Sequence, residues 1–223
     1  MKAFNLDLHL VTDRGLSRGR HLLEIVRAAV AGGVSVVQLR EKEASTRDFV
    51  ELGRVLAAEL KRSSVPLLIN DRVDIALAIG ADGVHLGQSD LPYATARELL
   101  GPAAIIGLSV ESLADARAAE QLDVAYLGLS PVFATTTKND IKAPLGLSGI
   151  RAIREISRHK LVAIGGIDAG NSGEILLAGA DGVAVVSAIC SALDPTRATR
   201  ELCRQLSVAR QRDVKQPAPF PTR

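Results

Sequence analysis

Two aspartates in the sequence are placed so that they could hold a metal ion together. Asp71 comes shortly after the apolar run Leu67–Ile69, and Asp90 closes the segment that begins with Gly83–Leu86. Two carboxylates brought close together repel each other unless a cation lies between them. Mg²⁺ takes one or two carboxylates and fills its other positions with water and phosphate oxygens. The pair therefore predicts a Mg²⁺ site, provided that the fold brings both residues together.

Basic side chains in two segments predict a binding site for phosphate groups. Arg40 and Lys42 follow the apolar run Val34–Leu39, and Lys138 follows the three threonines Thr135–Thr137. Guanidinium and ammonium groups neutralise phosphate oxygens through charge-assisted hydrogen bonds. These three cations therefore favour a polyanion as ligand, whose phosphate oxygens would complete the coordination of the metal.

Two short segments later in the chain indicate a second phosphate site. Gly165-Gly166 and Val186-Ser187 each end an apolar run of strand length. Bare backbone N–H groups bind phosphate where the backbone can approach it closely, which glycine allows. We therefore expect two phosphate-bearing ligands, one of which depends on a metal.

Each of these features also has a purely structural explanation. Asp71 and Asp90 could cap the helices that follow them, which is a common role for an Asp after a strand. The charged residues 40–42 could form a solvated loop, and Gly165-Gly166 could end a strand for steric reasons. His85 is expected to pack beside the core rather than to bind metal. A shared site is favoured because all of the polar segments follow apolar runs.

The elements that must position these residues are eight short apolar runs. They are rich in Val, Ile and Leu and do not alternate with polar residues, which is typical of strands buried on both faces of a parallel sheet. Between them, apolar residues recur at helical spacing, as in the stripe from Leu22 to Val30. The predicted strands are Leu8–Thr12, Val34–Leu39, Pro66–Asn70, Gly83–Leu86, Ala104–Leu108, Val124–Leu127, Leu161–Ile164 and Gly182–Val186.

Eight strands, each followed by a helical segment, predict an α/β fold of the (β/α)₈ (TIM) barrel type, with about 28 residues per unit. An open doubly wound sheet is the nearest competitor, but no G-x-G-x-x-G motif opens the first helix. In such a barrel the active site lies where the carboxyl ends of the strands meet. We expect a single catalytic domain over residues 1–209. A flexible tail is expected over residues 210–223, which contain Pro217, Pro219 and Pro221.

The composition excludes several classes of protein. The chain has 223 residues, of which 47% are hydrophobic and 23% charged, so it can bury a substantial core. A net charge of +2 and only 3% aromatic residues argue against a nucleic-acid or membrane partner. The longest uncharged run, residues 124–137, is too short to span a membrane, and two cysteines do not make a disulfide scaffold. We therefore expect a reduced, cytoplasmic protein.

A set of segments, in their order along the chain, resembles the thiamine phosphate synthase (thiamine-phosphate pyrophosphorylase) family. The resemblance covers about residue 8 to residue 200, and the joint order is far more specific than any single segment. The segments are QLREK at 38–42, INDRVDIAL at 69–77, GADGVHLGQSDLP at 80–92, IIGLSVES at 105–112, PVFATTTK at 131–138, PLGL at 144–147, AIGGI at 163–167 and GADGVAVVSAI at 179–189.

The resemblance implies a transferase of thiamine biosynthesis on a (β/α)₈ barrel, which joins 4-amino-2-methyl-5-hydroxymethylpyrimidine diphosphate to a thiazole phosphate. It implies that Asp71 and Asp90 hold Mg²⁺. The residues that it implies as catalytic are Arg40, Lys42, Ser109 and Lys138. Those implied for pyrimidine diphosphate binding are Gln38, Leu39, Arg40, Glu41, Lys42, Asn70, Ser109 and Lys138. Those implied for thiazole phosphate binding are Thr135, Thr136, Thr137, Gly166, Val186 and Ser187.

Two positions depart from the pattern expected of this family. Glu111 stands where a His is expected, and Ser130 stands where a Gly is more usual. These departures affect the positioning of the substrates rather than the reaction. The resemblance further implies small-molecule substrates and a self-associating barrel.

Other functions on the same barrel remain as alternatives. A thiazole tautomerase-like isomerase would bind the thiazole phosphate alone and would need neither Mg²⁺ nor the diphosphate residues. A non-catalytic ligand-binding relative would show no turnover with both substrates. A phosphosugar isomerase or aldolase would want an isolated Glu or Lys as base inside the barrel, and the predicted strands two to eight offer none.

Overall fold

Strands and helices alternate along the chain in the computed structural model, which describes residues 5–135 and 143–215. The strands are β1 (Leu8–Val11), β2 (Val36–Leu39), β3 (Leu67–Asn70), β4 (Gly83–Leu86), β5 (Ile105–Val110), β6 (Tyr126–Leu129), β7 (Leu161–Ile164) and β8 (Gly182–Val185). The helices are α1 (Leu22–Gly32), α2 (Thr46–Lys61), α3 (Val73–Ile79), α4 (Tyr93–Leu100), α5 (Leu113–Ala119), α6 (Gly146–Ile156), α7 (Ser172–Leu177), α8 (Ser187–Cys190) and α9 (Pro195–Lys215).

The strands form a closed, parallel barrel in which each strand pairs with the next one in sequence. His9 of β1 lies opposite Val36 of β2 on one side and Ala184 of β8 on the other, so the last strand pairs with the first. The predicted (β/α)₈ barrel is therefore confirmed. Its topology brings the loops that follow all eight strands to one face of the molecule.

Side chains of each strand point alternately outward to the helices and inward to the barrel axis. In β2, Val37 and Leu39 belong to the large core between strands and helices, whereas Val36 belongs to a smaller cluster inside the barrel. Both faces of the strands are thus buried, which explains why the strands read as uninterrupted apolar runs. The inner cluster consists of Leu6, Val11, Val36, Leu68, Ile105, Tyr126, Val162 and Ala184.

The helices pack on the barrel through apolar faces and are fixed by local signals at their ends. Ser45 caps α2, because its hydroxyl accepts a hydrogen bond of 3.2 Å from the backbone N–H of Asp48. The last helix, α9, packs closely against α1: a Cβ on Gly32 would lie only 2.5 Å from the Cβ of Thr199. Glycine at position 32 is therefore required by this close approach.

Strands β5 and β6 end two residues later than the apolar runs predicted. β5 reaches Val110 rather than Leu108, and β6 is displaced in the same direction. The added residues pair with each other, as Ser109 does with Gly128. Ser109 interrupts the apolar pattern, but its hydroxyl lies 2.9 Å from the Nε2 atom of His85 inside the barrel. This hydrogen bond satisfies the buried hydroxyl, so a polar residue is accommodated within the strand.

The last helix continues beyond the predicted start of the tail. Helix α9 runs to Lys215, so residues 210–215 are helical. Arg210 pairs with the carboxylate of Asp7 and donates a hydrogen bond of 2.8 Å to the backbone oxygen of Asp181. Residues 216–223 lie outside the described residues. In the described part of the chain, no helix combines the length and the apolar character needed to cross a membrane.

Candidate active site

The carboxyl ends of the strands surround a cavity of about 1280 Å³. Its wall contains residues from all eight strands or from the loops that follow them. Most of the site residues predicted from the sequence therefore lie in one place. Those that line the cavity are Gln38, Arg40, Glu41, Lys42, Asn70, Asp71, Asp90, Ser109, Thr135, Gly166, Val186 and Ser187.

The side chain of Leu39 does not reach this cavity. Leu39 is fully buried in the core between the barrel and the helices, where its Cδ2 atom lies 3.8 Å from the position of a Cβ on Gly53 of α2. Neighbouring residues of a strand face opposite sides. Because the side chain of Gln38 points into the barrel, that of Leu39 points outward to the helices. Thr136, Thr137 and Lys138 lie outside the described residues.

The cavity has two halves that correspond to the two predicted ligands. The described residues predicted for the pyrimidine diphosphate and the metal lie in, or in the loops after, β2 to β5, which are neighbours in the barrel. Thr135, Gly166, Val186 and Ser187 follow β6 to β8, which are also neighbours. The closed order of the strands thus places the residues predicted for the diphosphate beside those predicted for the second phosphate.

Asp71 is held at the end of β3 by contacts with two other strands. Its Oδ2 atom accepts a hydrogen bond of 2.6 Å from Nζ of Lys42, and its backbone N–H donates one of 2.9 Å to the oxygen of His85. Its φ angle of +65° lies in the left-handed region, which Asp tolerates better than most residues. Helix α3 begins at Val73 without a side-chain cap, so Asp71 is not its cap.

Asp90 faces the same part of the cavity from the loop after β4. Its Oδ2 atom accepts a hydrogen bond of 2.7 Å from the backbone N–H of Gly87. Helix α4 begins after Pro92 and has no side-chain cap either. Asp71 and Asp90 therefore do not cap the helices that follow them, which was the alternative left open by the sequence. Both residues line the cavity instead.

The two carboxyl groups are close enough to perturb each other. Burial would raise the pKa of Asp71, but hydrogen bonds with Lys42 and Asp90 outweigh burial and leave that pKa below its ordinary value. Burial, together with the neighbouring Asp71, raises the pKa of Asp90. Asp71 therefore carries the negative charge more readily, while Asp90 retains a proton more readily than an isolated aspartate. This is the behaviour of two carboxyl groups that lie close together and interact.

Arg40 and Lys42 are each paired with an acidic side chain. Besides the contact between Lys42 and Asp71, Nη1 of Arg40 lies 3.3 Å from Oδ2 of Asp13. The backbone N–H of Arg40 also donates a hydrogen bond of 3.0 Å to Oγ1 of Thr12. The end of β1 thus holds Arg40 in place. Sequence reasoning did not single out Asp13, although it directly follows the first predicted strand.

Glu41 differs electrostatically from its neighbours in this segment. Its Oε2 atom accepts a hydrogen bond of 3.1 Å from Nε of Arg14, and its side chain is only 4% exposed. Its Oε1 atom is buried and has no hydrogen-bond partner within residues 5–135 and 143–215. A carboxylate repels phosphate oxygens, so the geometry suits Glu41 to the placement of Arg14 rather than to direct contact with a diphosphate.

A layer of polar side chains lies inside the barrel below these charges. Nε2 of Gln38 donates a hydrogen bond of 2.7 Å to Oδ1 of Asn70. The ring of His85 connects Ser109 and Tyr126, whose hydroxyl oxygens lie 2.9 Å from Nε2 and Nδ1 respectively. His85 is therefore part of the barrel interior, as the sequence predicted. No group of three or more His, Cys, Asp or Glu side chains arranged for a metal occurs among the described residues.

The loop after β7 requires its two glycines. Gly165 and Gly166 have φ angles of +107° and +63°, which residues other than glycine rarely adopt. A Cβ on Gly165 would lie 2.8 Å from Cβ of Pro131, and one on Gly166 would lie 2.7 Å from the backbone oxygen of Ala134. The loop after β6 thus packs directly on the glycine pair. Both glycines also line the cavity, so they meet a steric need and lie at the candidate site.

Comparison with known proteins identifies the family to which this arrangement belongs. The model of the thiamine monophosphate synthase family matches residues 8–189. The chain belongs to this family. Its match contains every described residue that was predicted for the site, and it covers all eight strands.

Individual members of the family are similar over nearly the whole chain. A thiamine-phosphate synthase of Albidiferax ferrireducens is 55% identical over 201 residues, which are 90% of this chain and 91% of that protein. One of Chloroflexus aurantiacus is 50% identical over 92% of this chain and 94% of its own length. The solved thiamine phosphate pyrophosphorylase of Pyrococcus furiosus superposes with a TM-score of 0.83 at 41% identity, covering 92% of this chain and 96% of that one.

The two departures from the pattern expected of the family both lie at the cavity. Glu111 follows β5 and Ser130 follows β6, and both line the cavity wall. Ser130 is buried, and its backbone N–H donates a hydrogen bond of 3.0 Å to the oxygen of Val110. Their location is consistent with an effect on how substrates are positioned, and the residues that carry the diphosphate and metal assignments are all retained.

Proposed function

We propose that this protein is a thiamine-phosphate synthase. It joins 4-amino-2-methyl-5-hydroxymethylpyrimidine diphosphate to 4-methyl-5-(2-phosphoethyl)thiazole, or to the carboxylated form of that thiazole, and it releases diphosphate and thiamine phosphate. With the carboxylated form, the carboxyl group leaves as carbon dioxide in addition. Family membership and relatives with this name support the proposal. The observation that carries it is the pair of interacting carboxyls, Asp71 and Asp90, beside Lys42 in the cavity.

The diphosphate of the pyrimidine substrate binds in the half of the cavity formed by the loops after β2 to β4. Arg40 and Lys42 bind its oxygens through charge-assisted hydrogen bonds. Asp13 and Thr12 keep Arg40 directed to this place in the free protein. Lys138 has the same role by resemblance to the family and lies outside the described residues.

Mg²⁺ fits the site made by Asp71 and Asp90. Asp71 helps to raise the pKa of Asp90, and a divalent cation bound between the two carboxylates relieves this mutual repulsion. Two carboxylates suffice for Mg²⁺, which takes its other ligands from water and from substrate phosphates. When bound, the ion neutralises charge that develops on the departing diphosphate.

The reaction exchanges a carbon–oxygen bond for a carbon–nitrogen bond. The bond between the pyrimidine methylene carbon and the diphosphate oxygen breaks, with its electron pair leaving on the diphosphate, and the amino-substituted ring delocalises the positive charge. Arg40 and Lys42 stabilise the departing anion. The thiazole nitrogen then attacks the methylene carbon. This nitrogen has no proton to lose, so the site needs no general base, and holding both substrates removes much of the entropic barrier.

The thiazole phosphate binds against the loops after β6 to β8. Backbone N–H groups of Gly166, Val186 and Ser187, together with the hydroxyl of Thr135, receive its phosphate. The packing of the loop after β6 on Gly165 and Gly166 keeps this half of the cavity in one shape. Thr136 and Thr137 join this set by resemblance to the family and lie outside the described residues.

An isomerase that acts on the thiazole phosphate alone is the second candidate that the sequence left open. Such a protein would leave Arg40, Lys42 and the two aspartates without a ligand. Asp71 and Asp90 are partly buried and close enough to perturb each other's pKa, which supports a cation bound between them. The synthase is therefore favoured.

The substrates and products are small molecules. The balanced charge, +2 overall, supports the proposal that neither nucleic acid nor a membrane is a partner. We place the protein in the cytoplasm, in keeping with its cysteine content. We also propose that the protein self-associates. Light scattering of the purified protein measures its oligomeric state directly.

The decisive experiment incubates the purified protein with both substrates and follows diphosphate and thiamine phosphate. With Mg²⁺ present, both products are expected in equal amounts. EDTA is expected to stop the reaction, and excess Mg²⁺ to restore it. Full activity after divalent ions are stripped would overturn the metal assignment. Conversion of the thiazole phosphate alone, without thiamine phosphate, would overturn the synthase.

A further inference from the structure

The imidazole of His9 has no hydrogen-bond partner for either of its nitrogens within the described residues. The residue lies in β1, is completely buried, and lines the cavity at the centre of the barrel. Buried polar atoms are nearly always hydrogen-bonded, because leaving them unpaired costs folding free energy. An exception inside a ligand cavity indicates a group whose partner arrives with the ligand.

His9 is neutral and retains both hydrogen-bonding functions. Burial, with a smaller contribution from His85, lowers the pKa of His9 to about 3. A neutral imidazole carries one N–H donor and one acceptor nitrogen. The nearby ring of Tyr126 contacts His9 edge to face, at a centroid separation of 5.2 Å and an angle of 80°. The hydroxyl of Tyr126 is engaged with His85, so it does not serve His9.

The position of His9 in β1 places it at the floor of the cavity. In the pairing of β1 with β2, Val11 lies opposite Gln38, whereas His9 lies two residues nearer the amino end, opposite Val36. The side chains around it inside the barrel include the apolar Val162 and Ala184 and the aromatic ring of Tyr126. A largely apolar floor that offers a polar group without a hydrogen-bond partner among the described residues suits an aromatic heterocycle rather than a phosphate.

The chemistry of the pyrimidine substrate decides which of its atoms reach this floor. The diphosphate is attached through the methylene group at ring position 5, and position 5 lies opposite C2. The ring nitrogens N1 and N3 flank C2. With the diphosphate held at the mouth by Arg40 and Lys42, the end of the ring that carries the C2 methyl group points to the floor, with one ring nitrogen on each side of that methyl group. A pyrimidine nitrogen has a lone pair and no proton, so it requires a donor.

We propose that His9 donates a hydrogen bond from its imidazole N–H to a ring nitrogen of the pyrimidine and so selects and orients this substrate. The inference rests on the proposed function, which supplies the identity of the ligand. It makes His9 a specificity-determining residue that contacts neither the diphosphate nor the thiazole phosphate. The sequence pattern does not indicate this role, because His9 lies within an apolar strand rather than at a strand end.

The test compares two ligands that share the diphosphate and differ in the ring. Calorimetric titrations with Mg²⁺ present, and without thiazole phosphate, measure binding of the pyrimidine diphosphate and of inorganic diphosphate. His9→Phe fills similar space without a donor. It is expected to weaken binding of the pyrimidine diphosphate roughly tenfold, the usual effect of one buried hydrogen bond. Binding of inorganic diphosphate is expected to change by less than about twofold, because that ligand does not reach the floor.

His159→Phe is the matched control. The side chain of His159 is only 9% exposed, and its Nε2 atom lies 3.1 Å from the backbone oxygen of Ala119, away from the cavity. Its replacement is expected to leave both affinities unchanged while lowering the melting temperature. An equal loss of affinity for both ligands in His9→Phe, or no loss for either, would overturn the assignment.

A second measurement does not depend on the folding of a variant. Two pyridine analogues of the substrate, each lacking one ring nitrogen, are titrated into the unaltered protein. One of them is expected to bind about tenfold more weakly than the pyrimidine, and to bind the unaltered protein and His9→Phe equally. If both analogues bind like the parent compound, His9 does not read the ring nitrogens. Formation of thiamine phosphate is assayed separately, so the synthase can stand while this inference fails.

Discussion

Replacing Gly166 by alanine tests whether the loop after β7 positions the thiazole phosphate. Gly166 has a φ angle of +63°, and an added Cβ would lie 2.7 Å from the backbone oxygen of Ala134 and 2.9 Å from Cβ of Phe133. Contacts this short are strongly repulsive, so the segment 133–134 must move by roughly 0.5 Å. Thr135 follows directly, and the movement therefore reaches the proposed phosphate site.

Two effects of Gly166→Ala can be estimated from this geometry. An alanine in the left-handed conformation costs about 1–2 kcal/mol of folding free energy. For a protein of this size, each kcal/mol lowers the melting temperature by about 2–4 °C. A misplacement of about 1 Å at a reacting group lowers the rate by about 100-fold, so roughly half that distance predicts about a tenfold loss of kcat/KM. The loss is expected mainly in KM for the thiazole phosphate.

Gly80→Ala is the matched control for backbone strain. Gly80 ends helix α3 with a φ angle of +64°, a Cβ there would meet no atom within 4 Å, and the residue does not line the cavity. It is expected to lower the melting temperature by a similar amount and to leave both KM values unchanged. The assay is diphosphate release with one substrate saturating and the other varied, combined with thermal denaturation.

Comparison of the two variants shows whether the loop after β7 positions the thiazole phosphate. If Gly166→Ala and Gly80→Ala have the same KM for the thiazole phosphate, the loop after β7 does not position that substrate. If instead the KM for the pyrimidine diphosphate rises in Gly166→Ala, the two halves of the cavity have been assigned to the wrong substrates.

Two further predictions concern the diphosphate half of the cavity. Asp71→Ala and Asp90→Ala should each lower turnover strongly while circular dichroism shows an intact fold; near-parental turnover in either variant would show that its carboxylate does not bind the metal. Lys138→Ala should lower the maximal rate by about 10²–10³-fold at saturating levels of both substrates, with partial rescue by Lys138→Arg. A raised KM at an unchanged maximal rate would show that Lys138 helps to bind the diphosphate but does not stabilise the transition state.

Much of the fold could be predicted from the sequence, because strands buried on both faces appear in it as uninterrupted apolar runs. The runs Gly83–Leu86 and Leu161–Ile164 match β4 and β7 without change. Eight such units with intervening helices leave few topologies other than a closed barrel. Once the barrel is accepted, residues after the strands, such as Arg40, Asp71 and Asp90, must meet at one face. The position of the site therefore followed from local patterns and topology.

The direction and the partners of individual side chains were decided only by the tertiary structure. A strand that is apolar on both faces gives no sign of which residues point inward. The sequence pattern therefore did not indicate that His9 lines the cavity, or that the side chain of Leu39, which the resemblance placed in the site, points to the helices. Whether Asp71 caps a helix or pairs with Lys42 depends on a side chain 29 positions away. Such contacts form between neighbouring strands of the closed barrel, and pKa values and hydrogen bonds follow from distances that local sequence does not contain.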